Sequence, residues 1–272
     1  MEIPLYQIDA FADRPFTGNP AAVCPLTQWP DDDVLQAIAA ENNLAETAFY
    51  APEGDGYRLR WFTPEVEVDL CGHATLASAF VLMTRNGARG RKEVAFHTRS
   101  GQLTVIREGE LFTLDLPARR ADFTPAPAPL LDAVGRRPRH ALKANYWLLV
   151  FDSEDEVRTL RPDMEGLKAV GVPVIASAAG QDVDFVSRFF APSVGVPEDP
   201  VTGSAHCVLT PYWSQRLMKK KLRARQISRR GGELVCELAG DRVKLTGRCA
   251  FFMQGRIVLP EMAERRAPIA AK

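Results

Sequence analysis

Net charge, long apolar runs and the short motifs of metal and nucleotide sites are all missing from this chain. Lysine plus arginine and aspartate plus glutamate number 34 each. No overall field therefore draws it to nucleic acid or an anionic membrane surface. No apolar stretch approaches the ~20 residues of a spanning helix, and Met1 to Tyr6 has neither the basic start nor the apolar core of a secretory leader. The five cysteines are odd in number and follow no disulfide spacing, so reduced thiols and a cytoplasmic location are expected. There is no CxxC pair and no HExxH, and four scattered histidines make no case for a metal. The absence of GxGxxG and of GxxxxGK followed by Ser or Thr argues against dinucleotide and nucleotide-phosphate binding. No cofactor is expected.

What the chain does contain is a repeat. Arg60-Trp-Phe-Thr-Pro-Glu-Val-Glu-Val-Asp-Leu-Cys-Gly-His-Ala74 is echoed from Arg188 by Arg-Phe-Phe-Ala-Pro-Ser-Val-Gly-Val, then by Pro-Glu-Asp-Pro-Val-Thr-Gly-Ser-Ala205. Arg60 matches Arg188, Phe62 matches Phe190, Pro64 matches Pro192, and Val66 and Val68 match Val194 and Val196 at one constant spacing. After a short insertion Gly72-His73-Ala74 falls on Gly203-Ser204-Ala205. Each copy reads as an alternating strand, a turn, and a glycine opening an apolar helix. A repeat of about half the 272 residues implies two similar domains rather than a solenoid.

Strands are expected at 3–11, 21–24, 46–50, 57–62, 93–98, 102–107 and 111–116 in the first half. In the second they are expected at 146–151, 183–190, 234–238, 242–246 and 251–258. Helices are expected at 31–42, 74–83, 153–160, 162–170 and through 208–218. The segment 118–129, with Pro125, Pro127 and Pro129, reads as a linker between domains 1–118 and 130–272, with the last strand free to cross back. Lys219, Lys220, Lys221, Arg223 and Arg225 read as a helix end and solvated loop, and 264–272 as a frayed tail. The class is α+β. A helix apolar on every side suits a centre wrapped by strands.

Gly72 and Gly203 each open a helix whose first amides have no internal partner, an end that binds carboxylate or phosphate. Across a pseudo-twofold the two starts would face one cleft, although ordinary helix entry explains either glycine alone. Glu46 enters an otherwise apolar strand, where burial would raise its pKa toward that of a general acid/base. A solvent-facing strand position is the plainer reading. Asp199, just before the second helix, would cap the turn there or bind a substrate amine. Cys71 precedes Gly72, but its repeat partner is Thr202, too weak an acid for a two-thiol racemase. Cys207 reads as small buried filler.

The stretches Asp9-Ala-Phe, Phe16-Thr-Gly-Asn-Pro-Ala-Ala-Val23, Asn43-Leu-Ala-Glu-Thr-Ala-Phe49, the first repeat copy through Thr75, Glu198-Asp-Pro-Val-Thr-Gly-Ser-Ala-His206 and Gln226-Ile-Ser-Arg-Arg-Gly-Gly232 together resemble the PhzF family of phenazine biosynthesis. The resemblance spans nearly the whole chain and says more about family than about substrate. It implies the diaminopimelate-epimerase fold, two pseudo-symmetric domains each with strands rolled around a central helix. It also implies a cofactor-free isomerase, a homodimer, and a small carboxylate-bearing substrate of the kind of trans-2,3-dihydro-3-hydroxyanthranilate. Carried over by motif, Glu46 would transfer the proton, and His73, Asp199 and Ser204 would orient the substrate. Amides at Gly72, Gly203 and Ser204 would hold its carboxylate, and Asn19 would line the cleft. A racemase using Cys71 and a binding protein without turnover are the alternatives.

Overall fold

Arg60 and Arg188, matched in the repeat, make the same structure twice. In the computed structural model, which describes residues 1–259, Arg60 forks onto Glu67 through two 2.8 Å hydrogen bonds. Arg188 forks onto Glu198 at 2.7 and 2.9 Å. Each fork staples a long strand to the short strand after it, just before a central helix.

The first half runs β1 (Glu2–Ala10), β2 (Asn19–Pro25), α1 (Asp32–Asn42), β3 (Glu46–Glu53), β4 (Gly56–Phe62), β5 (Glu67–Val68), α2 (Gly72–Thr84), β6 (Glu93–Thr98), β7 (Gly101–Glu108) and β8 (Leu111–Pro117). A connection follows through β9 (Asp122–Phe123) and α3 (Ala128–Val134). The second half runs β10 (His140–Lys143), β11 (Trp147–Val150), α4 (Glu154–Thr159), α5 (Met164–Val170), β12 (Val174–Ala179), β13 (Phe185–Ala191), a 3-10 turn at Pro192–Val194, β14 (Val196–Asp199), α6 (Gly203–Leu217), β15 (Lys221–Gln226), β16 (Gly232–Ala239), β17 (Arg242–Gly247) and β18 (Cys249–Val258).

The pairing repeats as the sequence does. β4 lies parallel to β6 as β13 lies parallel to β15, and β6-β7-β8 and β15-β16-β17 are matching antiparallel runs. The fold is the two-domain α+β architecture with a helix at the centre of each half. Every residue of α2 from Gly72 to Ala79 is buried, which explains a helix with no polar face. The halves are joined along two seams: β8 pairs antiparallel with β17, and β1 pairs along its whole length with β18.

Three local expectations change. The basic run is a helix end and loop only at Lys219 and Lys220, which follow the end of α6. Its Lys221–Gln226 portion is β15, with Leu222, Ala224 and Gln226 inward and the charged residues between them toward solvent. The proline-bearing segment 118–129 carries β9, which pairs with β10 at Phe123↔Leu142, and opens α3 behind Pro127. β10 and β12, not foreseen, fill the second half's sheet. The tail at 264–272 lies outside the described residues. Among the described residues no helix is long and apolar enough to cross a membrane.

Candidate active site

The central helices meet start to start. A Cβ built on Gly72 would lie 3.5 Å from Gly203 Cα, and one on Gly203 would lie 3.4 Å from Gly72 Cα. Glycine brings the two backbones into contact here. Neither Cys71 nor Thr202, the residues before the two helices, closes its helix with a side-chain hydrogen bond. Both positive helix ends therefore point at the junction between the halves.

Around that junction the two halves contribute one polar network. Asn19, at the start of β2, donates through Nδ2 to Asp199 Oδ1 at 2.8 Å and to the Val201 carbonyl at 2.9 Å, both from the other half. The same Nδ2 lies 3.1 Å from His73 Nδ1. Thr202 Oγ1 donates to the other Asp199 oxygen, Oδ2. Gln226 braces this turn, donating to the Asp199 carbonyl at 2.7 Å and accepting from the Thr202 amide at 2.9 Å. Glu46 opens β3 in parallel register with Ala21 of β2, which carries its carboxylate to His73, with 3.2 Å between Oε2 and Nε2. Those two atoms are not aligned as a hydrogen bond, and both are buried without another partner.

Burial sets the charges. His73, 4% exposed, is pushed down to about 3 by burial, against the Pro20 carbonyl, and is neutral near pH 7. Burial first, and then the Asp199 charge, pushes Glu46 up to about 8. Burial likewise raises Asp199 to about 6, with the Thr202 and Asn19 hydrogen bonds pulling it back. The Asp199 charge thus disfavours ionisation of Glu46, and the Glu198 charge adds to the rise of Asp199.

Glu46, Cys71 and His73 also bring donor atoms within 4.8 Å of one another. As a zinc site the set fits poorly. A metal binds one nitrogen of an imidazole while the other donates outward, whereas Cys71 Sγ lies against His73 Nδ1 and Glu46 Oε2 against its Nε2. Cys71 lies 3.5 Å from His73 Nδ1, and burial holds its thiol well above the ordinary cysteine range.

Residues 8–255 match the PhzC-PhzF family, described as phenazine biosynthesis-like protein. The chain belongs to this family. A Pseudomonas aeruginosa relative named Uncharacterized isomerase PA2770 is 52% identical over 262 residues, covering 95% of this chain and 100% of its own. The human phenazine biosynthesis-like domain-containing protein is 40% identical over 287 residues, covering 94% of this chain and 99% of its own. The crystal structure of an Enterococcus faecalis protein of the phenazine biosynthesis PhzF family superposes with a TM-score of 0.92 at 44% identity, covering 95% of this chain and 100% of that one. Membership at this level carries enzymatic, isomerase-type activity.

In this PhzF-family chain, the structure gathers Asn19, Glu46, His73 and Asp199 into one network and sets Gly72 against Gly203. Ser204 stands slightly apart, in the first turn of α6, with its Oγ 3.1 Å from the Tyr146 hydroxyl. Asp199 holds the turn before α6 by accepting from the Thr202 hydroxyl, with its other oxygen on Asn19. Tyr146, Thr202 and Gln226 are contributors that the sequence reading gave no role. Tyr146 and Gln226 act from distant elements, and only their positions in the folded sheet bring them near.

Proposed function

We propose that this protein is a cofactor-independent isomerase that moves a proton on a small cyclic or amino carboxylic acid, with Glu46 as the acid/base. The observation that carries the reading is the buried Glu46 carboxyl, raised to about 8 beside Asp199. A group titrating near neutral pH can both take and return a proton. In this reading the substrate carboxylate lies against the first amides of α2 and α6. Asp199 accepts from an amine or hydroxyl of the substrate, and Glu46 removes a proton from one carbon and delivers it to another on the same face. His73, neutral and 3.2 Å from Glu46, orients the substrate beside that carboxyl. Near-complete burial of Asn19, His73 and Asp199 keeps bulk water from competing for the proton. No charge reaches a metal or cofactor in this scheme, and the active form is a homodimer.

The deciding experiment is proton NMR in D2O with trans-2,3-dihydro-3-hydroxyanthranilate and then other small carboxylic acids, wild type beside Glu46→Gln. Turnover with solvent deuterium incorporated by wild type, and lost about a hundredfold or more in Glu46→Gln, supports the scheme. Equal incorporation by both proteins rules Glu46 out as the acid/base. Cys71→Ala belongs in the same series. A racemase using the Cys71 thiol would lose all turnover, whereas here only the packing beside His73 changes and activity persists. The strongly raised thiol favours the second outcome, since thiolate is the reactive form. A binding protein without turnover would retain affinity for such acids and exchange no deuterium.

A further inference from the structure

Asn19 and Asp199 come from opposite halves, so some structure must fix the two backbone segments relative to each other. The turn between β15 and β16 grips both. On one side Ser228 Oγ donates to the Pro200 carbonyl at 2.8 Å, one residue beyond Asp199, and the Gln226 amide donates to Asp199's own carbonyl at 2.7 Å. On the other, Arg230 Nε donates to the Gly18 carbonyl at 2.9 Å, one residue before Asn19, and its Nη2 reaches the Thr17 carbonyl at 3.1 Å. The Gly18 amide returns a 2.7 Å bond to the Gly231 carbonyl.

The grip is anchored in depth. Arg230 Nη2 also lies 2.8 Å from Oδ1 of Asp9, a carboxylate 2% exposed, whose Oδ2 accepts from the Phe16 amide at 2.9 Å. Phe11 and Phe16, at the two ends of the intervening loop, both take left-handed backbone angles, φ 56° and 74°. Such angles are costly for a bulky residue and persist only where the surroundings impose them. The turn also sits as close as backbone permits: a Cβ on Gly232 would lie 2.4 Å from Val201 Cγ2 and 2.9 Å from the Phe11 carbonyl oxygen.

We propose that Arg230, paired with Asp9, is a positioning residue for the active site: it holds the loop before Asn19 against the turn that carries Asp199, and so fixes the Asn19 amide between Asp199 and His73. Its catalytic consequence rests on the isomerase reading above. Arg230 touches no reacting atom. It acts through Asn19, whose amide bonds Asp199 Oδ1 and the Val201 carbonyl and lies 3.1 Å from the His73 ring.

The test replaces the pair by near-isosteric neutral residues, Asp9→Asn with Arg230→Gln, which leaves no charge buried alone. In protein labelled with 15N-histidine, His73 in wild type should show a single neutral tautomer. In the double variant, its signals should move toward a mixture of tautomers while the circular dichroism spectrum is retained. With a turned-over substrate, kcat/KM should fall about tenfold to a hundredfold. Arg230→Lys, which keeps the charge, should restore part of both. Arg225→Ala, which breaks an exposed pair with Glu233, should change neither. An unaltered His73 signal in the folded double variant overturns the inference, whatever the activity. If the double variant fails to fold, Ser228→Ala, which removes the bond to the Pro200 carbonyl and the one accepted from the Gly231 amide, is read in the same way. The histidine signal needs no substrate. Failure to find turnover therefore counts against the proposed reaction, while Arg230 is judged on His73 alone.

Discussion

Glu46 shows what burial does to one residue. Its folded pKa lies above the ordinary carboxylate value of 4.5 because leaving water disfavours the ion and Asp199 repels it. The sign of the linkage follows: a carboxyl raised by folding stabilises the protein fully below the unfolded pKa and loses that contribution as pH climbs through the folded one. Asp199 acts in the same direction over a lower range. Wild type should therefore lose stability between about pH 4.5 and 8. Glu46→Gln, which has no proton to lose, should flatten much of that slope and be the more stable protein at the alkaline end. Urea denaturation at a series of pH values measures it, and parallel slopes for the two proteins would show that Glu46 ionises as it does in water. For turnover the expected sign is opposite. If the carboxylate form abstracts the proton, kcat/KM rises toward about pH 8, with apparent values belonging to the Glu46–Asp199 pair.

At the scale of elements, glycines separate two kinds of close approach. Gly203 touches Gly72, yet a methyl there would make contacts of 3.4 Å and 3.7 Å, which is ordinary packing. Gly18 has φ +66°, and its Cβ would lie 2.2 Å from the Ala10 carbonyl oxygen. Gly203→Ala should leave the thermal midpoint nearly unchanged, whereas Gly18→Ala should cost about 2 kcal/mol or more. Equal melting of the two variants would mean that the loop before Asn19 yields easily. The sequence disclosed the helix starts, because a glycine before an apolar run is a local signal that the repeat doubled. It named Glu46, Asn19, His73 and Asp199 through their motifs, and the fold brings these four together. It did not disclose β15, although Lys-Leu-Arg-Ala-Arg-Gln alternates strictly, because the charges drew the eye more than the period did. Nor did it disclose what Asp9 and Arg230 do. Both stand in quoted motifs, but their contact spans 221 positions and exists only once β1 and the β15–β16 turn are folded together.

For the whole molecule, the repeat invites a division at the proline-bearing segment into 1–118 and the remainder, but the strand pairing runs against independent halves. β1 belongs to the first half by sequence and pairs from Glu2↔Val258 to Ala10↔Cys249 with β18, the last described strand. β8 closes the first half's run of strands by pairing with β17 of the second. A fragment of residues 1–118 would expose both seams as unpaired edges, with Ile8, Phe112 and Leu114 losing cover along with them. Exposed apolar edges of that length promote association rather than folding. The fragment alone should lack fixed tertiary signals in near-ultraviolet circular dichroism. Mixing it with 119–272 should restore them, and the intact chain should melt in a single transition that both near- and far-ultraviolet signals follow. A cooperative melt of 1–118 on its own would sink this view and make the halves true domains. The candidate site argues for the same unity, since Asn19 of the first half bonds Asp199 of the second.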